Sequence, residues 1–296
     1  MFELSKSNKL MLLFLISNQI IIVDEDIANR MIVMENKNHT EYCLFFYPEI
    51  KQFIDKEEQD FLEYKLSQYN LDNLDDLINK RQNGENDSYI SSLIQNDFVE
   101  EFVSYYNRAN FSLSSLIKQS IFETNPLLIK DSPSLIEYAA FFGSIQIFQF
   151  LKYNEVELTP SLWIYAIHSN NPELIHILEE NNINPPDVDY VKCFIESIKC
   201  HHNNIGNYIL ENYLNSMNEN QYSDIVIKSI FRFHNYSYFL YNLNTNNIFY
   251  YLSKYGYSYL LNLFLETKHD LINQIVISNE FFFLNHVQKQ IVFIIF

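Results

Sequence analysis

The stretch PSLIEYAAFFGSIQIFQFL, residues 133–151, concentrates small side chains in a chain that otherwise avoids them. Ala28, Ala109, Ala139, Ala140 and Ala166 are the only alanines in 296 residues, and there are only four glycines, yet Ala139, Ala140 and Gly143 fall within one short run. Set above PSLWIYAIHSNNPELIHILEEN, the stretch aligns Pro133 with Pro160, Leu135 with Leu162, Tyr138 with Tyr165, Ala139 with Ala166 and Leu151 with Leu178, at a constant offset of 27 residues. A third copy, FIESIKCHHNNIGNYILEN, follows at an offset of 31, with Ser197 in the place of Ala166 and Ile209 in that of Leu178. Upstream, YISSLIQNDFVEEFV puts Ser91 and Ser92 at the alanine pair. Weaker echoes occur at IKSIFRFHNYSYFLYN and YYLSKYGYSYLLNLFLE, the latter with Gly256 where Gly143 sits. Each copy reads as a helix, a tight turn and a second helix. Such a unit cannot bury its apolar face alone and has to stack on its neighbours. The small residues are expected where first helices of successive units come closest, and Gly143 is expected to supply a left-handed turn between paired helices.

Helical spacing dominates elsewhere. In DFVEEFVSYYNR the residues Phe98, Val99, Phe102, Val103 and Tyr106 form one apolar stripe at helical intervals. RQNGENDSYI carries a stop and a start: Gly84 can adopt positive φ, and Asp87 or Ser88 can cap the next helix. This places a boundary near residue 82, with an N-terminal helical region over 1–81 and repeats over 82–296, clearest in 131–215. Within the first region, Asp24, Glu25 and Asp26 open one helix, and EYCLFFYPEIKQFIDKEEQDFLEYKLSQ reads as one or two helices meeting at Pro48. NKLMLLFLISNQIIIV resembles a signal peptide in its flanking lysines, but its longest apolar piece is short of the ~20 residues a membrane span needs, and no small-residue cleavage site follows. A buried helix is the expectation there.

Twenty Lys plus Arg against 37 Asp plus Glu leave a formal net charge of -17. No cluster of basic residues is long enough to track a phosphate backbone, so nucleic acid is excluded as an expected partner. The acids sit in turns and helix starts, where carboxylates favour the positive helix end. Three cysteines, Cys43, Cys193 and Cys200, are too few and odd in number for a disulfide framework and point to an intracellular, cytoplasmic protein with free thiols.

SLIEYAAFFGSIQIFQFL resembles the ankyrin repeat, with its pattern T-P-L-H-x-A-A-x-x-G-H-x-E-I-V-K-L-L-L. Ser134 stands at the Thr, Ile136 at the Leu, Ala139 and Ala140 at the alanine pair, Gly143 at the Gly, and Ile147, Phe150 and Leu151 at apolar positions of the second helix. The usual Pro and His are missing, and the spacing is shorter than customary, which implies trimmed connecting hairpins. Over most of its length the chain is similar to a large family of ankyrin-type proteins of flagellate protists that carry a domain of unknown function. The resemblance implies an all-α, ankyrin-like solenoid of stacked helix-turn-helix repeats. It also implies that the chain is a truncated member, with apolar faces at Phe281 to Phe283 and Ile291 to Phe296 left uncapped.

The expected function is a non-catalytic scaffold for protein partners, with neither cofactor nor metal. By the ankyrin register Tyr138, Phe141, Tyr165 and His168 are offered from first helices, and Glu155, Glu157, Asp187 and Asp189 from the links. One alternative is a truncated or degenerate copy with little independent function. Another is a metal-dependent enzyme at Cys193, Cys200, His201 and His202. A zinc site wants four converging Cys or His ligands, commonly with a close pair of cysteines, whereas Cys193 and Cys200 are seven apart on expected helix. The chain has no G-x-S-x-G elbow and too few glycines in any one place for a phosphate loop, and adjacent acid pairs such as Glu57/Glu58 diverge on a helix.

Overall fold

The computed structural model describes residues 2–35, 40–69, 71, 73–130, 132–215, 219–236, 238 and 256–258. They are mostly helical, and among them β structure is confined to one isolated antiparallel bridge between Leu116 and Ser134. The chain divides into two compact units, Met1–Leu158 and Thr159–Phe296.

After a single helical turn, Phe2–Ser5, the first unit continues with α1, Lys9–Ser17, whose start is capped by the Asn8 side chain accepting from the Met11 amide at 2.9 Å. Apolar residues surround this helix, so only one side can face a core. Leu12 and Leu13 are buried, while Leu10, Met11 and Phe14 are exposed, and the expected buried helix is therefore buried on one face only. The IIIV segment that follows forms no strand, and Ile20 and Ile22 are exposed. Next come α2, Glu25–Glu35, and α3, Thr40–Phe45. As Pro48 implied, α3 ends before a short separate helix, Tyr47–Ile50. α4, Lys56–Leu66, and α5, Leu74–Lys80, are capped by Asp55 and Asn73. Their inward residues join Ala28, Met31, Cys43, Phe45, Phe46 and Ile50 in one apolar core.

That core does not stop at the sequence boundary near residue 82. Ile121 and Phe122 belong to it. The buried Lys9 ammonium donates to the carbonyls of Ile121 at 3.2 Å and Glu123 at 3.4 Å, and the Thr124 hydroxyl donates to the Gly84 carbonyl at 2.8 Å. Immediately before the boundary, buried Arg81 spans the core rim with a two-pronged grip on Glu49, at 2.7 and 2.5 Å, and a 2.9 Å bond to the Phe45 carbonyl. Gly84 does take a left-handed φ of 68°, and Ser88 does cap the next helix. The punctuation was local; the packing runs through it.

Two helix pairs complete the first unit: α6, Tyr89–Gln95, with α7, Val99–Ala109, and α8, Leu135–Phe142, with α9, Ile145–Tyr153. First helix packs on first helix and second on second. Ser91, Ala139 and Ala140 are fully buried, as expected of spacers between close backbones. The Ser134 hydroxyl and Glu137 carboxylate form a reciprocal capping box at the start of α8. Between paired helices the chain turns through a left-handed residue, Asp97 at φ 53° and Gly143 at φ 72°. The stripe on α7 is shallower than its sequence suggests, since Phe102 is buried but Phe98 is exposed.

The second unit repeats the plan. α10, Leu162–Ser169, pairs with α11, Pro172–Glu180; α12, Tyr190–Lys199, pairs with α13, Asn203–Tyr213; α14, Glu219–Phe233, follows. Left-handed residues again mark the end of each first helix: Asn170 at φ 55°, His201 at 61° and His234 at 57°. Asn and His tolerate this region better than β-branched residues, so glycine is not required at every copy. Ala166 and Ser197 are buried, and a Cβ on Gly206 would come within 2.9 Å of the Ser197 hydroxyl, which places α13 hard against α12.

A hydrogen bond recurs one residue after three of these five left-handed turns. The Ser144 hydroxyl donates to the Ile94 carbonyl, the His202 Nδ1–H to Ile167 at 2.7 Å, and the Asn235 amide to Ile198 at 2.9 Å. In every case a polar side chain from one copy satisfies a carbonyl in the last turn of the preceding first helix, one of the acceptors a helix end leaves open. The late repeat YYLSKYGYSYLLNLFLE lies outside the described residues apart from 256–258, where Gly256 takes φ 73°, and the C-terminal apolar segments lie outside them entirely. No helix among the described residues is long and apolar enough to cross a membrane.

One buried acid in the first unit carries a pH consequence. Glu123 is 5% exposed; its Oε1 accepts from the Thr124 and Asn125 amides at 3.0 and 2.9 Å, while its Oε2 is buried with no partner. Burial raises its carboxyl above the ordinary range, and the amide bonds only partly offset this. A raised acid binds its proton more tightly folded than unfolded, so its contribution is fully present below the ordinary carboxylate pKa and lost as pH rises through the folded value. Glu123→Gln, which keeps the Oε1 bonds, is expected to melt higher than the wild type at pH 7, with the gap closing toward pH 4. Equal melting temperatures at both pH values would show that Glu123 does not titrate in this way.

Candidate functional site

The last turn of α10 and the last two turns of α12 bring three chemically distinct donors together. Glu196 and Cys200 are four apart, so they share one face of the helix end. His168 reaches them from the neighbouring first helix. Its Nε2 lies 2.7 Å from Glu196 Oε1, and Cys200 Sγ lies 3.6 Å from Nδ1 and 3.7 Å from Nε2. Glu196 Oε1 also accepts from Lys199 Nζ at 2.7 Å. All three residues are half-buried.

The electrostatics follow from that geometry. Burial works against ionisation of Glu196, but hydrogen bonds from His168 and Lys199 outweigh it and hold the carboxyl below its usual range. Cys200 is pushed up to about 12, first by burial and then by the Glu196 charge, so it is a thiol and not a thiolate at neutral pH. A catalytic cysteine needs a lowered pKa and a base aligned with its proton. Here Sγ is almost equidistant from both ring nitrogens and its pKa is raised, so the arrangement does not build a nucleophile. It does place one nitrogen, one oxygen and one sulfur ligand atom within 4.8 Å of one another.

The quartet that the sequence offered only as an alternative metal site does not converge. Cys193 is fully buried on α12, two turns from Cys200, which is about 10 Å of helix rise and too far for one ion. His201 directs Nε2 to the Phe233 carbonyl at 3.2 Å, and His202 forms the Ile167 bond described above. Both histidines serve the turn. Only Cys200 enters a cluster, and its companions come from elsewhere. Spacing alone made Glu196 and Cys200 findable as a pair; nothing local to them pointed to His168, which is 28 positions earlier on another helix.

The residues expected to meet a partner divide by burial. Tyr138 is fully buried, with its hydroxyl accepting from Gln95 at 2.9 Å, and Tyr165 is 4% exposed; both are core and offer no surface. Their tyrosine bodies fill the layer beside the small residues, which is why the register repeats them. Phe141 and His168 are half-buried. Glu155, Glu157 and Asp187 are exposed, Glu155 and Asp187 with left-handed backbones, whereas Asp189 caps α12 through the Lys192 amide and pairs with Lys192 Nζ at 3.2 Å. An aromatic group that sequence reading missed surrounds Glu179, which accepts from the hydroxyls of Tyr208 and Tyr213, while Tyr213 stacks on Tyr190 at 3.9 Å.

A scan with protein-family models and searches of curated proteins and of solved structures each found no match.

Proposed function

We propose that the chain is an ankyrin-like repeat scaffold that holds protein partners and performs no catalysis, in keeping with its resemblance to the ankyrin-type proteins of flagellate protists. One observation carries the reading. Within each unit helix pairs recur with a left-handed residue at the turn and buried small residues on the first helix, and at every such turn but that of Asp97 a polar residue follows directly. Repeats of this kind make extended surfaces from variable links while the core positions stay constrained.

Two links, one in each unit, are the candidate partner surfaces best supported. Each carries exposed acid beside an exposed apolar residue: Glu155 and Glu157 near Tyr153, which is 88% exposed, and Asp187 beside Val188, which is 63% exposed. Aromatic and aliphatic anchors give affinity, and a surrounding single-sign charge selects the partner and speeds encounter. The matching partner presents basic residues around an apolar contact. Affinity capture from the native cell with the full chain should recover a specific partner, and a Glu155→Lys/Glu157→Lys/Asp187→Lys variant with unchanged circular dichroism should lose it at least tenfold. A folded variant that retained every specific partner would remove the links from the binding surface.

A further inference from the structure

We propose that His168, Glu196 and Cys200 form a binding site for a thiophilic divalent cation of the zinc class, tying the ends of α10 and α12 together. The donor set selects the metal. Magnesium and calcium take oxygen ligands, whereas a combination of imidazole, carboxylate and sulfur suits zinc and its first-row neighbours.

Two side chains, Cys200 and Lys199, have to turn for the ion to enter. Ligand bonds of ~2.0–2.3 Å around a tetrahedral zinc separate neighbouring ligand atoms by roughly 3.2–3.8 Å. Sulfur stands 3.7 Å from Nε2, the spacing of two tetrahedral ligands, but it lies equally near Nδ1, so the Cys200 side chain has to rotate Sγ toward the Nε2 lone pair; the 2.7 Å His168–Glu196 contact has to widen by about half an ångström as the ion enters. Lys199 has to release Glu196, and its side chain, half exposed, can swing into solvent. The two helices that supply the ligands pack directly on each other, so the site is pre-positioned by the fold. Three protein ligands leave one coordination position for water, on the half-exposed side of the cluster.

Binding replaces the thiol proton, which passes to solvent, while His168 binds as a neutral imidazole through Nε2 with its proton on Nδ1, and Glu196 binds as the carboxylate; no electron is transferred. The expected consequence is a staple between consecutive first helices, since an ion bound only by the folded chain stabilises it.

The test is titration of the purified full chain, reduced and metal-free, with Zn2+ by calorimetry and with Co2+ by absorption. One ion per chain is expected, with a thiolate-to-cobalt charge-transfer band in the near ultraviolet and a rise in melting temperature with Zn2+. Cys200→Ser should abolish the band and weaken Zn2+ binding at least tenfold, and His168→Gln should weaken it similarly. Both variants alter half-buried positions, and circular dichroism establishes that each is folded. Cys43→Ser should leave band and affinity unchanged. Absence of stoichiometric binding to the folded wild type, or a charge-transfer band that survives in Cys200→Ser, would overturn the assignment.

Discussion

Replacing Arg81 with alanine is expected to destabilise the first unit by about 3–5 kcal/mol, the cost of removing one member of a buried ion pair. The guanidinium is 4% exposed in its side chain, Glu49 15%, and the Phe45 carbonyl loses a donor at the same time. What remains is a largely desolvated carboxylate without its counter-charge, in a protein whose total stability is of the order of 5–15 kcal/mol. Urea unfolding followed by far-ultraviolet circular dichroism measures the loss. The double variant Arg81→Met/Glu49→Leu should recover most of it, because two apolar side chains of similar volume remove the orphaned charge. A single variant that lost less than about 1 kcal/mol would mean that the pair is effectively solvated.

Trp163→Ala should cost the second unit about 3–5 kcal/mol. Trp163 is the sole tryptophan and a fully buried side chain. Its indole N–H donates to the Ile183 carbonyl at 2.7 Å, and its ring meets Tyr190 and Tyr213 edge-on at 5.4 and 5.9 Å. Truncation leaves a cavity, an unsatisfied carbonyl and two aromatic rings without their partner. Trp163→Phe separates these effects: it keeps most of the volume and loses mainly the hydrogen bond, so about 1–2 kcal/mol is expected. Thermal unfolding by circular dichroism compares all three proteins, and equal losses for the alanine and phenylalanine variants would assign the effect to the hydrogen bond and not to the volume.

Much of the local structure was legible because it depends on near neighbours. Gly143 after Ala139 and Ala140 marked a helix end, a left-handed turn and a close backbone approach, and each of these is present. Asp87 or Ser88 was legible as a cap from the turn before it, and Ser88 is the one that caps. The candidate site was legible only in part. Cys193, Cys200, His201 and His202 are close in sequence, but a helix and a left-handed turn send them in different directions, and the ligand-like partner of Cys200 belongs to the preceding copy. The turn signal near residue 82 reports the backbone at that point and not which residues share a core, and Ile121 and Phe122 pack with the core that precedes it.

By itself the sequence determined the helical class, the positions of the small spacers and the left-handed turns at Gly84 and Gly143, because these follow from side-chain size, periodicity and permitted φ within a few residues. Only the tertiary structure decided which polar side chains meet. It sank Tyr138 and Tyr165 into the core, joined Arg81 to Glu49, and set His168 beside Glu196 and Cys200. Those pairings depend on how one helix rotates against the next, and a rotation of a single residue position, about 100°, exchanges a buried side chain for an exposed one without changing the pattern in the sequence.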